Sequence, residues 1–148
     1  MTEYPAWWTD TITIYNKYTD ATTKKIVWVP HVVEGCFWST INDKIKIGNT
    51  ILEAESTICR IRESEEFIEQ YLWKDLTDEE KATYFTLGVG DIIVKAEVDD
   101  AIDEYTAGKR STDFVNKYHD APGCLVIEKA HIGTGENMPI PHYRVRGV

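Results

Sequence analysis

Residues Thr11 to Tyr18 (TITIYNKY) alternate apolar and polar positions with a period of two, the pattern of a half-buried strand. Turn-forming residues Asp20 to Lys24 follow, then a second run from Lys25 to Val33, so this part of the chain predicts a β-hairpin. Pro30, inside the second run, has no N–H to give to a ladder and predicts an edge position or a bulge. The pattern resumes from Gly35 to Ile41, Asn42-Asp43 reads as a turn, and Lys44 to Ile47 alternates again. Gly48-Asn49 predicts a further turn into Thr50 to Arg62, which is rich in β-branched residues.

Between Glu63 and Phe85 the pattern becomes short, acidic and locally amphipathic, which predicts one or two short helical stretches. Thr77 with Glu80 three residues on is the signature of a capped helix start. Gly88-Val-Gly90 then opens Asp91 to Val98, the strongest strand signal, which Asp99-Asp100 ends. Ser111 to Tyr118 predicts a two-turn helix with a cap residue and an acidic first turn, stopped by Pro122-Gly123. Leu125 to Ile132 and His142 to Val148 read as two final strands joined by a Gly133 to Pro141 loop. These elements predict a mainly β (α+β) domain: a small β-barrel or sandwich of seven to eight short strands with one or two short helical insertions. A single domain over residues 1–148 is expected, with an N-terminal arm at about 1–10 and a partly helical insertion at about 63–87.

Composition agrees with one self-sufficient core. The chain has 148 residues, 43% hydrophobic and 28% charged, which is too apolar for a disordered chain. Neither a membrane-spanning run nor a secretory leader is recognisable, so synthesis and assembly in a cytoplasm are expected. The formal net charge of -9 argues against a surface built to neutralise nucleic-acid phosphates, yet an acidic wall suits a channel through which DNA slides. Cys36, Cys59 and Cys124 lie far apart in apolar surroundings and read as buried small hydrophobes. No nucleophile elbow, phosphate loop or zinc-binding helix motif occurs, and the histidines are not at metal-ligand spacing, so no catalytic residue, metal or cofactor is expected. His131 and His142, in two strands expected to be neighbours, are the one pair that could meet across a ladder.

Five tryptophans and eight tyrosines are many for this length. Core filling accounts for most of them, but Trp7 and Trp8 precede the first clear strand, where no alternation calls for burial. The arm carrying them, and the excursion carrying Phe67, Tyr71 and Trp73, are expected to contact other subunits or neighbours.

Several phrases together resemble a family of small minor structural proteins of tailed phages and prophages of Gram-positive bacteria, of the head–tail joining or head-completion type. They are ITIYNKYTD at 12–20, VVEGCFW at 32–38, EEKATYFTLGVGDIIVKAEV at 79–98 and PHYRVRGV at 141–148, and the most distinctive is the stretch from Tyr84 to Lys95. The resemblance implies a virion protein of the neck: a head-completion stopper or adaptor in a homo-oligomeric ring of twelve, or six, copies. A portal or adaptor protein would lie above it and a tail terminator or tail tube protein below, with DNA passing through without sequence-specific binding. On that reading Asp99, Asp100, Asp103 and Glu104 are candidates to face the channel. A tail terminator or other neck protein is the alternative, and then an acidic, DNA-mimicking inhibitor.

Overall fold

A computed structural model of the chain describes residues 4–133 and 140–148, and for 41–45 and 51–55 the course of the backbone. Six strands, β1 (Asp10–Thr19), β2 (Ile26–Ile47), β3 (Thr50–Arg62), β4 (Ile92–Val94), β5 (Cys124–Gly133) and β6 (His142–Gly147), close into a barrel in the order β1-β2-β3-β6-β5-β4. Neighbouring strands are antiparallel throughout. The protein is therefore mainly β, a small closed barrel with short helices inserted between its strands. Closure leaves the barrel without a free sheet edge along its paired length.

The strand alternation chooses the interior. Ile12 and Ile14 of β1 face inward with Cys36, Cys59, Ile61, Leu125, Tyr143 and Val145, all buried in one apolar cluster. Tyr15, next along β1, with Ile92, Val94 and Cys124, packs outward into a second cluster beneath Ile102 and Phe114. Phe114 belongs to α3 (Ser111–Tyr118), so the excursion between β4 and β5 is a sheath over one wall of the barrel. The Tyr15 and Phe114 rings meet edge to face at 4.8 Å. The cysteines are all buried and free.

Three differences from the sequence expectation are instructive. β2 is one strand of 22 residues that absorbs the three runs read separately, so six strands stand where seven or eight runs were counted. It pairs with β1 up to Cys36 and with β3 from Phe37 onward, with an irregularity that includes Gly35 just before the change. Gly35 has φ +74°, and a Cβ there would come within 2.6 Å of Arg62 Nε, so the corner requires glycine. Pro30 fits because that half of β2 has β1 alone as a ladder partner among the described residues. Asn42-Asp43 is not a turn: both residues are ladder-paired, to Glu55 and Ala54, and the chain reverses instead at Gly48, with φ +62°. Two-stranded pairing outweighs the local turn preference of Asn-Asp.

The expected strand Asp91 to Val98 contributes only Ile92–Val94 to the ladder. Beyond it the Thr13 hydroxyl donates to the Ala96 carbonyl at 2.7 Å and accepts from the Val98 N–H at 3.1 Å, so a side chain takes over from the ladder. The Thr77 cap is present as read: its hydroxyl accepts from the Glu80 N–H and the Glu80 carboxylate accepts from the Thr77 N–H. In α3 the cap position is Arg110 instead of Ser111, with the Asp113 carboxylate accepting the Arg110 N–H. Residues 134–139 of the expected Gly133 to Pro141 loop, and residues 1–3 of the arm, lie outside the described residues.

Candidate assembly surfaces

The ladder register gives the barrel two unlike ends. β3 leaves its pairing with β6 at Thr57↔Gly147 on one side and at Arg62↔His142 on the other. At the Arg62 end, the excursion 63–87 folds over the barrel mouth as a cap, with α1 (Gln70–Trp73) and α2 (Asp78–Thr83). Residues 63–80 hold eight carboxylates against the single Lys74, so the cap is strongly acidic.

Hydrogen bonds and aromatic contacts fasten this cap to the strands. The Trp73 indole is fully buried and donates to the Tyr84 carbonyl at 2.9 Å, while the Tyr18 ring meets it edge-on at 5.8 Å. Lys81 is also buried, its Nζ 4.0 Å from the Tyr18 ring centroid, a cation–π contact shielded from water. Phe67 stacks on Tyr143 at 4.3 Å and meets Phe85 edge to face. Trp73 is therefore interior, which corrects its expected role in outside contacts.

The remaining surface of the cap is a groove of about 640 Å³ between α1 and the ends of β5 and β6. Tyr71 and Leu72, 67% and 50% exposed, contribute apolar surface to it with Leu76 and Ile132, and Glu63 and Glu69 flank it. Of the residues nominated from the sequence in this excursion, Tyr71 is the open one and Phe67 is half-buried.

At the opposite end, the β2–β3 hairpin continues past the barrel. Pairing between these strands runs from Phe37↔Arg60 to Ile47↔Thr50, while β6 accompanies β3 only from Thr57 to Arg62. Residues 41–47 and 50–56 thus form a two-stranded ribbon with no third strand among the described residues, about 23 Å long at the usual rise per residue. At the tip the register sets Lys46 opposite Ile51 and Ile47 opposite Thr50. At its tip Ile47 is 61% exposed and Lys46 is exposed.

The N-terminal arm folds back onto the barrel. The Tyr4 hydroxyl donates to the Pro141 carbonyl and accepts from the Glu63 N–H. Trp8, only 6% exposed, lies between Tyr4, Phe37 and His142, and its carbonyl accepts from Arg62. That burial corrects Trp8 as a free interface residue; no strand alternation announced it because three separate elements supply its neighbours. Trp7 is 65% exposed.

The four acids nominated for a channel lie on the sheath between β4 and α3. Asp100 accepts from Lys117 Nζ at 2.7 Å and from the Tyr118 hydroxyl, and the Lys117 bond holds its carboxyl below the ordinary carboxylate range. Asp103 accepts from the Thr106 hydroxyl and the Tyr105 N–H, which lower its pKa likewise. Glu104 accepts from the Ser111 N–H at 2.6 Å, tying the loop to the start of α3. Asp99 is exposed and makes no side-chain hydrogen bond among the described residues. Three of the four carboxylates therefore shape the loop that carries them. A cleft of about 420 Å³ opens beside the same sheath, between Trp28, Ile92 and Val115, with Lys17 and Glu104 near it.

A cationic wall went unread in the sequence. Arg60 stands directly opposite Arg144, which stands opposite His131, and Arg146 stands opposite Lys129 across the next ladder. Arg144, Arg146, Lys129 and His131 are exposed, and among the described residues none of these five side chains makes an ion pair. The signal was the spacing itself: Arg60-Ile-Arg62, Lys129-Ala-His131 and Arg144-Val-Arg146 each put two bases on one face of a strand. A net charge of -9 concealed this, because the acids are concentrated elsewhere. His131 lies opposite Arg144 and His142 opposite Gly133, so the two histidines are not cross-strand partners. Among the described residues no group of three His, Cys, Asp or Glu side chains is arranged to hold a metal ion.

A closed six-stranded barrel with a grooved acidic cap at one end and a bare ribbon at the other defines a compact β-barrel protein with several surfaces suited to contact. The chain belongs to a family of unknown function, DUF6751, whose model matches residues 7–148. No curated protein and no solved structure matches it.

Proposed function

We propose that this protein is a non-catalytic structural subunit of a tailed phage or prophage, a stopper or adaptor in an oligomeric ring at the head–tail joint. The ribbon carries the reading. A lone two-stranded hairpin is at best marginally stable in water, and this one runs past the last residues that β6 pairs, with Ile47 exposed at its tip. A rigid barrel bearing such a projection is suited to a subunit that completes itself against another surface. The resemblance of the Tyr84 to Lys95 stretch and the closing PHYRVRGV supplies the kind of assembly. Portal or adaptor above, tail terminator or tube below, and DNA in the channel are the partners that go with it. The separation of acidic cap from cationic wall supports the reading too, because a ring subunit presents different surfaces to neighbours and to the lumen.

An early stop codon in this reading frame, in the genome that carries it, tests the proposal after prophage induction and electron microscopy of the lysate. Unjoined tails beside heads that have lost their DNA are expected. Full heads with tails of irregular length would move the protein to the tail-terminator role. Normal infectious particles would overturn the neck reading and favour an acidic inhibitor of a DNA-binding enzyme.

A further inference from the structure

We infer that the cationic wall of one copy is covered by the acidic α2 flank of a second copy's cap, so that the chain associates side by side through unlike surfaces. The inference deepens the ring reading and rests on it for closure of the assembly. The wall is the surface that needs a cover. Arg60, Arg144 and His131 lie directly opposite one another on β3, β6 and β5, about 5 Å apart from strand to strand, with Arg146 and Lys129 alongside. Like charges placed directly opposite, as Arg60 with Arg144 and Arg146 with Lys129, are destabilising, so the wall opposes its own fold. Among the described residues no carboxylate relieves it: the five side chains make no ion pair, and neither does Glu128, which adjoins Lys129 in the β5 bulge. An anionic surface laid over the wall turns that repulsion into attraction.

A second copy carries such a surface in the right place. The closed order β1-β2-β3-β6-β5-β4 sets β1 across the barrel from β6. The Tyr18 hydroxyl of β1 donates to Asp78 at 3.1 Å and Lys81 Nζ lies over the Tyr18 ring, so α2 sits on the β1 side, away from the wall. Asp75, just before α2, and Asp78, Glu79 and Glu80 within it are exposed, against Lys74 alone because Lys81 is buried. Of the eight cap carboxylates, Glu66 alone makes an ion pair among the described residues, with His31. Wall and α2 flank thus lie on opposite sides of one chain, and contact between them repeats from copy to copy, giving a ring where the rotation closes. The wall is about 10 Å across, which reaches only a few phosphates of a nucleic acid, whereas affinity there grows with every phosphate neutralised.

The test uses the full chain in analytical ultracentrifugation at low and high salt. Concentration-dependent association is expected for the parent, weakened by salt. Arg144→Glu with Arg146→Glu reverses part of the wall, and Asp75→Lys with Glu79→Lys reverses part of the α2 flank; all four side chains are exposed. Each double variant should keep the circular dichroism of the barrel and weaken self-association at least tenfold. An equimolar mixture of the two should recover it, because the swapped charges again face opposite partners. Association indifferent to both variants, or weakened by each without recovery on mixing, overturns the contact and leaves the ring reading standing on another interface. A chain that stays monomeric at every concentration also overturns it, and the neck reading is then judged by the particles alone. A monomeric parent that binds a single-stranded DNA oligonucleotide, with binding lost in the wall variant, would give the wall to nucleic acid instead.

Discussion

The side chain of Asn16, on β1, donates to the Asp91 carboxylate at 2.9 Å in a fully enclosed site. The same amide donates to the Thr86 carbonyl at 2.6 Å and accepts from the Thr86 N–H at 3.1 Å. Asp91 accepts in addition from the Gly88 and Lys17 N–H groups. One buried amide and one buried carboxylate thus satisfy the backbone where the cap excursion returns to the barrel, ahead of β4. Gly88 is tightly enclosed there, since a Cβ would lie 2.1 Å from Gln70 Nε2.

Replacing Asn16 by Ala should therefore cost more than an ordinary surface change. The Thr86 N–H and C=O lose their partner while enclosed, and an unmade buried hydrogen bond costs about 1–3 kcal/mol. A loss of roughly 2–4 kcal/mol in urea unfolding is expected. A loss under 1 kcal/mol would mean that water reaches the site and replaces the amide.

Burial pushes the Asp91 carboxyl up to about 6, against the lowering effect of the Asn16, Lys17 and Gly88 bonds. The folded protein then holds this proton more tightly than the unfolded chain, so Asp91's contribution to stability is greatest below about pH 4 and is lost as pH rises through 6. The stability of the parent relative to Asp91→Asn should fall by roughly 2–3 kcal/mol between pH 4 and pH 7. Asp100 and Asp103, with lowered values, act in the opposite direction, giving up stability as pH falls through their folded values. They are common to both proteins and cancel in the comparison. A parent that gains on the variant with rising pH would contradict the buried-carboxylate account.

Two glycines should respond differently to alanine. A Cβ on Gly147 would lie 2.1 Å from the Val126 carbonyl oxygen, where two strands approach beside the β5 bulge. Backbone must move, and a loss of about 1–3 kcal/mol is expected for Gly147→Ala. At Gly48 no atom lies within 4 Å, and only the positive φ opposes a side chain, for about 1–2 kcal/mol. Because the ribbon extends past the barrel, Gly48→Ala should leave the melting temperature of the barrel nearly unchanged, whereas Gly147→Ala should lower it.

Arg144→Glu is expected to stabilise the barrel. It replaces a like-charge cross-strand pair with Arg60 by an attractive one, for roughly 0.2–1 kcal/mol. The gain should shrink in high salt, since the site is exposed. Thermal melts at two ionic strengths check both statements, and a destabilised variant would show that the cationic wall is held by contacts other than simple charge.

Much of this architecture was legible locally. Alternation along TITIYNKY set which side chains could share a face, Thr77 and Glu80 announced a helix start, and Gly48 marked the hairpin tip. These features depend on neighbours within about four residues, the range over which backbone geometry decides which groups meet. Asn42-Asp43 misled for the same reason: its turn preference is local, and the cross-strand pairing that overrides it is not.

What the sequence by itself determined was therefore the β class, the inward residues of the main strands, the helical insertions and the free, buried state of the cysteines. Tertiary structure alone decided that β3 lies beside β6 and β4 beside β1, and so that the sheet closes. It alone decided that Trp8 and Trp73 are interior while Trp7 and Tyr71 face outward, and that arginines from positions 60, 144 and 146 share one wall. Alternation assigns a residue to a face of its own strand. It carries no information about which distant strand supplies the neighbouring face, because that choice depends on chain closure and on the summed packing of the whole core.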